Sequence, residues 1–158
     1  MSWVVGNFLG ARVNEWWTPN EIAKALKKDH RTVQNMIDRQ RYRPYETTYK
    51  GFRLEVAERR RVYCVRLVKD PRHCLEIVKN EVKEVQSIPE MYHSMEEFTV
   101  ILPLVSKWRN CDATWYDLQR HLESWNIEKA TSDIQYVKKS ALEELNKVAD
   151  ELGRMIES

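Results

Sequence analysis

The sequence predicts a mainly α protein with one small β-hairpin in its first half, followed by an all-helical C-terminal region. Three observations carry that expectation. Apolar residues recur at spacings of three and four through most of the 158 residues, the period of amphipathic helices. Between residues 52 and 68 the period changes to alternation with β-branched and aromatic residues, which is the signature of strands. Only four Gly and five Pro accompany 42% apolar and 32% charged residues, a composition that excludes collagen-like and disordered chains.

From Ser2 to Trp17, Val4, Val5, Phe8, Leu9, Val13, Trp16 and Trp17 fall on one helical stripe, which Gly6 and Gly10 weaken. Thr18-Pro19-Asn20-Glu21 opens a second helix. Thr18 is the N-cap, Pro19 takes the first helical position and Glu21 closes a capping box. Ile22, Ala23 and Leu26 form its buried face, and the expected stop lies near Lys28-Asp29. A third helix follows from about Arg31 to Gln40, with Val33, Met36 and Ile37 inward and Arg31, Gln34, Asn35, Asp38 and Arg39 outward.

Past Pro44, Phe52, Leu54 and Val56 alternate with Arg53 and Glu55, and Val62 to Val68 forms a second strand-like run. Ala57 to Arg61 is the polar connection of the resulting hairpin, and Tyr45 to Tyr49 is a further short strand candidate that the pattern leaves open. Pro71 begins the helical region, with helices at Leu75 to Val85, at Met95 to Trp108 interrupted by Pro103, at Thr114 to Trp125 and at Ser132 to Ile156. Ser132 and Gln135 suit a capping box for the last of these, whose stripe includes Leu142, Leu145, Val148, Leu152 and Ile156. Trp108, Trp115 and Trp125 are expected in the core; an exposed one would be an anchor for a partner.

The formal net charge of +2 hides an asymmetry. From Thr18 to Arg72 there are fifteen Lys or Arg against seven Asp or Glu, and from His73 to Ser158 ten against sixteen. Cations in the first block are about twice as dense as the roughly one residue in eight of an average chain. Such a block faces a polyanion. The chain therefore divides in expectation into residues 1–70 and an acidic helical region, 71–158.

Several function classes receive no support. No apolar run approaches the roughly 20 residues that span a bilayer, and the N-terminal segment lacks a basic start and a cleavage site of the secretory kind. Three Cys without CxxC spacing fit a reducing compartment, so the expected location is the cytoplasm, at the nucleoid for a DNA-bound protein. There is no P-loop, GxGxxG, GxSxG or HExxH, and the His and Cys spacings match no zinc pattern. No enzymatic activity, cofactor or metal is expected. His73-Cys74 beside Arg72 is the one setting that would lower a thiol pKa.

Trp17 to Ile37, with its T-x-x-E-I-A-x-x-L run, short turn and x-T-V-x-x-x-I helix, resembles a helix-turn-helix. With the hairpin added, the first 70 residues resemble the winged helix-turn-helix superfamily of DNA-binding proteins. The turn departs from the Gly-containing form, since Lys28-Asp29-His30 would have to supply a left-handed residue from Asp or His.

The resemblance implies that the helix from Arg31 enters the major groove of double-stranded DNA, and side-chain chemistry agrees. Gln34 and Asn35 can pair two-fold with adenine and Arg31 with guanine. Thr18, Lys28, Thr32, Arg39, Arg41 and Arg43 suit phosphates around that helix, while Arg59, Arg60 and Arg61 at the hairpin tip, the wing, suit the backbone or a flanking minor groove.

Thr114 to Leu122 repeats the T-x-x-[DE]-[IL]-x-x-x-L pattern and marks either a degenerate second motif or an ordinary capped helix. The C-terminal stripe is a candidate homodimer seam, Leu142, Leu145, Val148, Leu152 and Ile156, because a free amphipathic helix of that length must bury its apolar side. The expected function is a small transcriptional regulator. A replication or partition protein that binds origin-like repeats, and an interaction adaptor whose acidic helical region or winged helix meets protein instead of DNA, are the alternatives.

Overall fold

The computed structural model describes the backbone of residues 4–42, 45–59, 61–108 and 112–157, and the side chains of the same ranges apart from 40–42, 45, 46, 112 and 113. It is mainly α with, among the described residues, one two-stranded antiparallel hairpin. Two compact units divide the chain: Met1–Val78 with Asp150–Ser158, and Lys79–Ala149. By sequence the first carries a net charge of +5 and the second of −3. Among the described residues no helix is long and apolar enough to cross a membrane.

The first unit begins with α1, Val4–Gly10. It is shorter than the stripe to Trp17 predicts, because the chain leaves the helix at Gly10, turns through a left-handed Asn14 and runs extended into Pro19. The residue before proline disfavours helical backbone, and Thr18 sits at φ −82°, ψ 153°. Helix α2, Pro19–Leu26, opens with the expected box: Thr18 Oγ1 accepts from the Glu21 amide at 3.1 Å and Glu21 Oε1 accepts from the Thr18 amide at 3.2 Å.

Helix α2 ends two residues before the expected stop. Lys27 takes the left-handed conformation (φ 55°, ψ 43°), and the Lys27 and Lys28 amides donate to the Lys24 and Ala23 carbonyls. This is a Schellman closure, so Lys27, and not Asp29 or His30, bears the left-handed strain of the turn. Helix α3 is His30–Tyr42, two residues longer at its end than the pattern predicts.

Tyr45–Tyr49 forms a short helix, α4, not a strand. Strands β1, Phe52–Arg59, and β2, Val62–Lys69, pair in register from Phe52↔Lys69 to Arg59↔Val62. The polar run 57–59 is therefore paired strand up to Arg59↔Val62, and Arg61, just ahead of β2, takes φ 65°. Two-residue hairpin loops need such positive φ to match strand twist.

One further pairing closes the unit. The Trp17 amide donates to the Val65 carbonyl at 2.9 Å and the Val65 amide to Trp17 at 2.8 Å, so Trp17 forms an antiparallel bridge to β2. Its ring meets Phe8 edge-on at 4.9 Å. Around this joint Val5, Phe8, Leu9, Ile22, Ala23, Val33, Met36, Ile37, Val65 and Leu67 form one buried cluster, each large member contributing about 1.5–3 kcal/mol.

The second unit contains α6, Met95–Val105, a 3₁₀ turn at Ser106–Trp108 and α7, Asp112–Glu123. It also holds the second half of α5, Pro71–Gln86, and most of α8, Ile127–Glu157. Pro103 lies inside α6 without ending it before Val105. Helix α8 starts five residues before Ser132, and Asn126 caps it by accepting from the Lys129 amide at 3.1 Å; Ser132 is an exposed residue within the helix.

The stripe proposed as a dimer seam is used within the chain. Leu145, Val148 and Leu152 are 1%, 9% and 0% exposed, and Leu142 and Ile156 are half-buried. The burial that a helix of this length demands is met without a second copy, so these residues are not a free seam.

The two caps of α2 make opposite stability predictions for urea unfolding. Thr18→Ala removes the N-terminal cap and should cost about 1 kcal/mol. Lys27→Gly relieves the left-handed position and should gain up to about 1 kcal/mol; a loss on Lys27→Gly would show that the turn is not closed as described.

Candidate nucleic-acid interface

Helix α3 owes its rotation to Val33, Met36 and Ile37, all part of the first unit's core. Their spacing fixes one side of the helix inward. The opposite side then carries Arg31, Asn35 and Arg39 in a row four residues apart, and all three are exposed. Thr32 and His30 are exposed in the first turn, and Lys24, Lys27 and Lys28 are exposed at the turn before it.

Gln34 differs from its expected companions. It is half-buried on the flank of that row, and its Nε2 donates to Asp38 Oδ1 at 3.3 Å. One of its two amide N–H donors is spent inside the helix, which ties the direction of the carboxamide. Thr18 is likewise committed as the cap oxygen of α2. The Arg41, Arg43 and Arg60 side chains lie outside the described residues.

The hairpin sorts its cations into two groups. On one face Arg66 Nε donates to Glu55 Oε2 at 2.8 Å, and Arg53 joins Glu55 at 3.0 Å and Asp70 at 3.1 Å. The Arg66 hydrogen bond, with smaller help from Arg53, holds the Glu55 carboxyl below its ordinary value. These arginines are neutralised locally. Toward the tip, Arg59 and Arg61 are exposed and, with Arg31 and Arg39, make no ion pair among the described residues.

Trp16 is a member of this surface that sequence reasoning missed, having placed it in a helix stripe. The Arg66 and Arg59 guanidiniums lie 4.5 and 5.8 Å from its ring centre, distances at which a cation is drawn to an aromatic face. Its signal was available: Gly10 behind it and Thr18-Pro19 ahead of it both favour leaving the helix. Glu55, Arg66 and Trp16 together hold the hairpin's paired face, while Arg59 and Arg61 near the tip and Arg31 and Arg39 on α3 are left exposed.

Other candidate chemistry fares differently. Cys74 is buried, its thiol lies 3.5 Å from the Phe52 carbonyl oxygen, and burial pushes its pKa up to about 11. Neither Arg72 nor His73 activates it. Trp108 is buried as expected, but Trp125 is 75% exposed. It occupies the left-handed position (φ 58°) that closes α7, where the Asn126 amide donates to the His121 carbonyl at 2.8 Å, and this conformation turns its ring to solvent.

Comparison of the chain with family models, with curated proteins and with solved structures finds no match.

The Cys74 environment predicts a measurable inertness. At about pH 8 in the folded protein, iodoacetamide should label position 74 at least tenfold more slowly than after unfolding; labelling at equal rates would contradict the buried, unactivated thiol.

Proposed function

We propose that the first unit binds double-stranded DNA, with α3 in the major groove and the hairpin tip beside it, as a small non-enzymatic transcriptional regulator. The observation that carries this is the exposed row Arg31, Asn35 and Arg39 on a helix whose opposite side is locked in the core. A helix so presented fits a groove about 12 Å wide, and guanidinium and carboxamide groups match the edges of guanine and adenine. The order of helices followed by a hairpin, the exposed arginines at its tip and the unit's net charge of +5 support the same reading. The helix α4 between α3 and the hairpin is an addition to the simplest winged arrangement.

Roles divide by position. Arg31 and Asn35 read base edges, Gln34 contributes less because its amide is tied to Asp38, and Thr32, Lys28, Arg39, Arg59 and Arg61 hold phosphates. Cations that meet phosphates release counterions, so affinity falls with salt. The acidic second unit, with exposed Trp125, is the part that would recruit a protein partner. Dimerisation through residues 142–156 is not part of the proposal.

Selection from random duplexes followed by binding measured across a salt series tests it. Four phosphate contacts by Lys28, Arg39, Arg59 and Arg61 predict a slope of about −4 in log affinity against log salt. Asn35→Ala and Arg31→Ala should each cost about 1–3 kcal/mol on the selected site and little elsewhere, whereas Arg61→Ala should weaken all sites and flatten the slope by about 1. Equal binding by the wild type and an Arg31/Gln34/Asn35 triple alanine variant would overturn the assignment.

A further inference from the structure

Away from the row on α3, the first unit contains a cavity of about 220 Å³ between α1, α4 and the base of the hairpin. Its floor is apolar, made by Phe52 and the buried Leu67, and its α1 wall is bare because Gly6 and Gly10 stand four residues apart on one side of that helix. Its polar lining residues are Asn7 and Lys50, both exposed, and Thr47, which is buried.

Gly10 ends α1, where neither left-handed backbone nor close packing calls for glycine. It does not adopt positive φ, since Gly51 alone does so among the described glycines. Nor does it permit a close approach, because a Cβ built there meets nothing within 4 Å. At the end of α1 the missing side chain both eases the exit from the helix and leaves the cavity open. Lys50 makes no ion pair among the described residues and is the one charged residue among the described residues of the lining.

We propose that this cavity is a binding site for a small organic carboxylate, its apolar body seated on Phe52 and Leu67 against the bare side of α1 and its anionic end held by Lys50 and Asn7. The cavity is partly open, so its size limits the seated part of the ligand. Pockets for drug-sized molecules run to about 300–1,000 Å³, and the part held here is smaller, of the order of one ring or one branched chain bearing a carboxylate. The site is independent of DNA binding and stands or falls separately from it.

The test is a titration of the full chain, without DNA, with benzoate and with 3-methylbutanoate, followed by backbone amide shifts. Benzamide serves as the uncharged isostere and inorganic phosphate as the charge without a body. Saturable shifts at Asn7, Gly10, Lys50 and Phe52 are expected with at least one of the carboxylates, with binding about tenfold weaker for benzamide and for phosphate. Lys50→Gln, a surface change, should weaken carboxylate binding about tenfold and leave benzamide unchanged. Gly10→Leu, whose melting curve checks that it folds, should abolish binding by filling the space. Failure of both carboxylates to saturate these shifts, equal binding of benzoate and benzamide, or indifference to Lys50→Gln would each overturn the proposal.

Discussion

The burial of Val33 and Ile37 is the constraint on which the rest depends. Both are essentially inaccessible to water, and their spacing leaves α3 a single rotation about its axis. Any other rotation would expose two large aliphatic side chains, at about 1.5–3 kcal/mol each, and would bury Arg31 or Asn35 without a partner. The outward row is therefore a consequence of the core. The Trp17–Val65 bridge extends the same control to the hairpin, since it ties the segment that enters α2 to the strand beside the tip.

Charge is arranged with the same economy. Arg53, Glu55, Arg66 and Asp70 neutralise one another on the hairpin's paired face, and Trp16 lies under Arg66. Arg31 and Arg39 on α3 and Arg59 and Arg61 toward the tip make no ion pair among the described residues. Exposed ion pairs contribute little stability, so the network serves mainly to hold the arginine side chains of that face in place.

Much of the fold was legible because several local signals agreed at each point. Thr18, Pro19 and Glu21 marked the start of α2 by three separate mechanisms, and the structure shows all three. The alternation of Phe52, Leu54 and Val56 named a strand whose register the structure extends to Arg59. Failures occurred where backbone conformation outweighed side-chain pattern. Trp16 and Trp17 fit a helical stripe, but Pro19 imposes extended backbone before it. Lys27 and Trp125 take left-handed positions that residue type does not announce, and Asn126, not Ser132, caps α8. At the candidate site, Arg31 and Asn35 were legible from helical period alone. Gln34's tie to Asp38 was not, because spacing gives proximity and not the choice of partner. The seam on α8 was misread for a related reason: an amphipathic stripe states that something covers it, not whether the cover is the same chain.

The central claim, that the α3 row and the hairpin tip form one nucleic-acid surface, is tested most directly by amide shift mapping of the intact protein as a mixed-sequence DNA duplex is added at low salt. The account predicts that the largest perturbations fall on residues 28–39 and on 59 and 61, that they diminish as salt is raised, and that the acidic unit, residues 79–149, stays quiet. Perturbations confined to that second unit, or none at duplex concentrations where non-specific binders saturate, would contradict it.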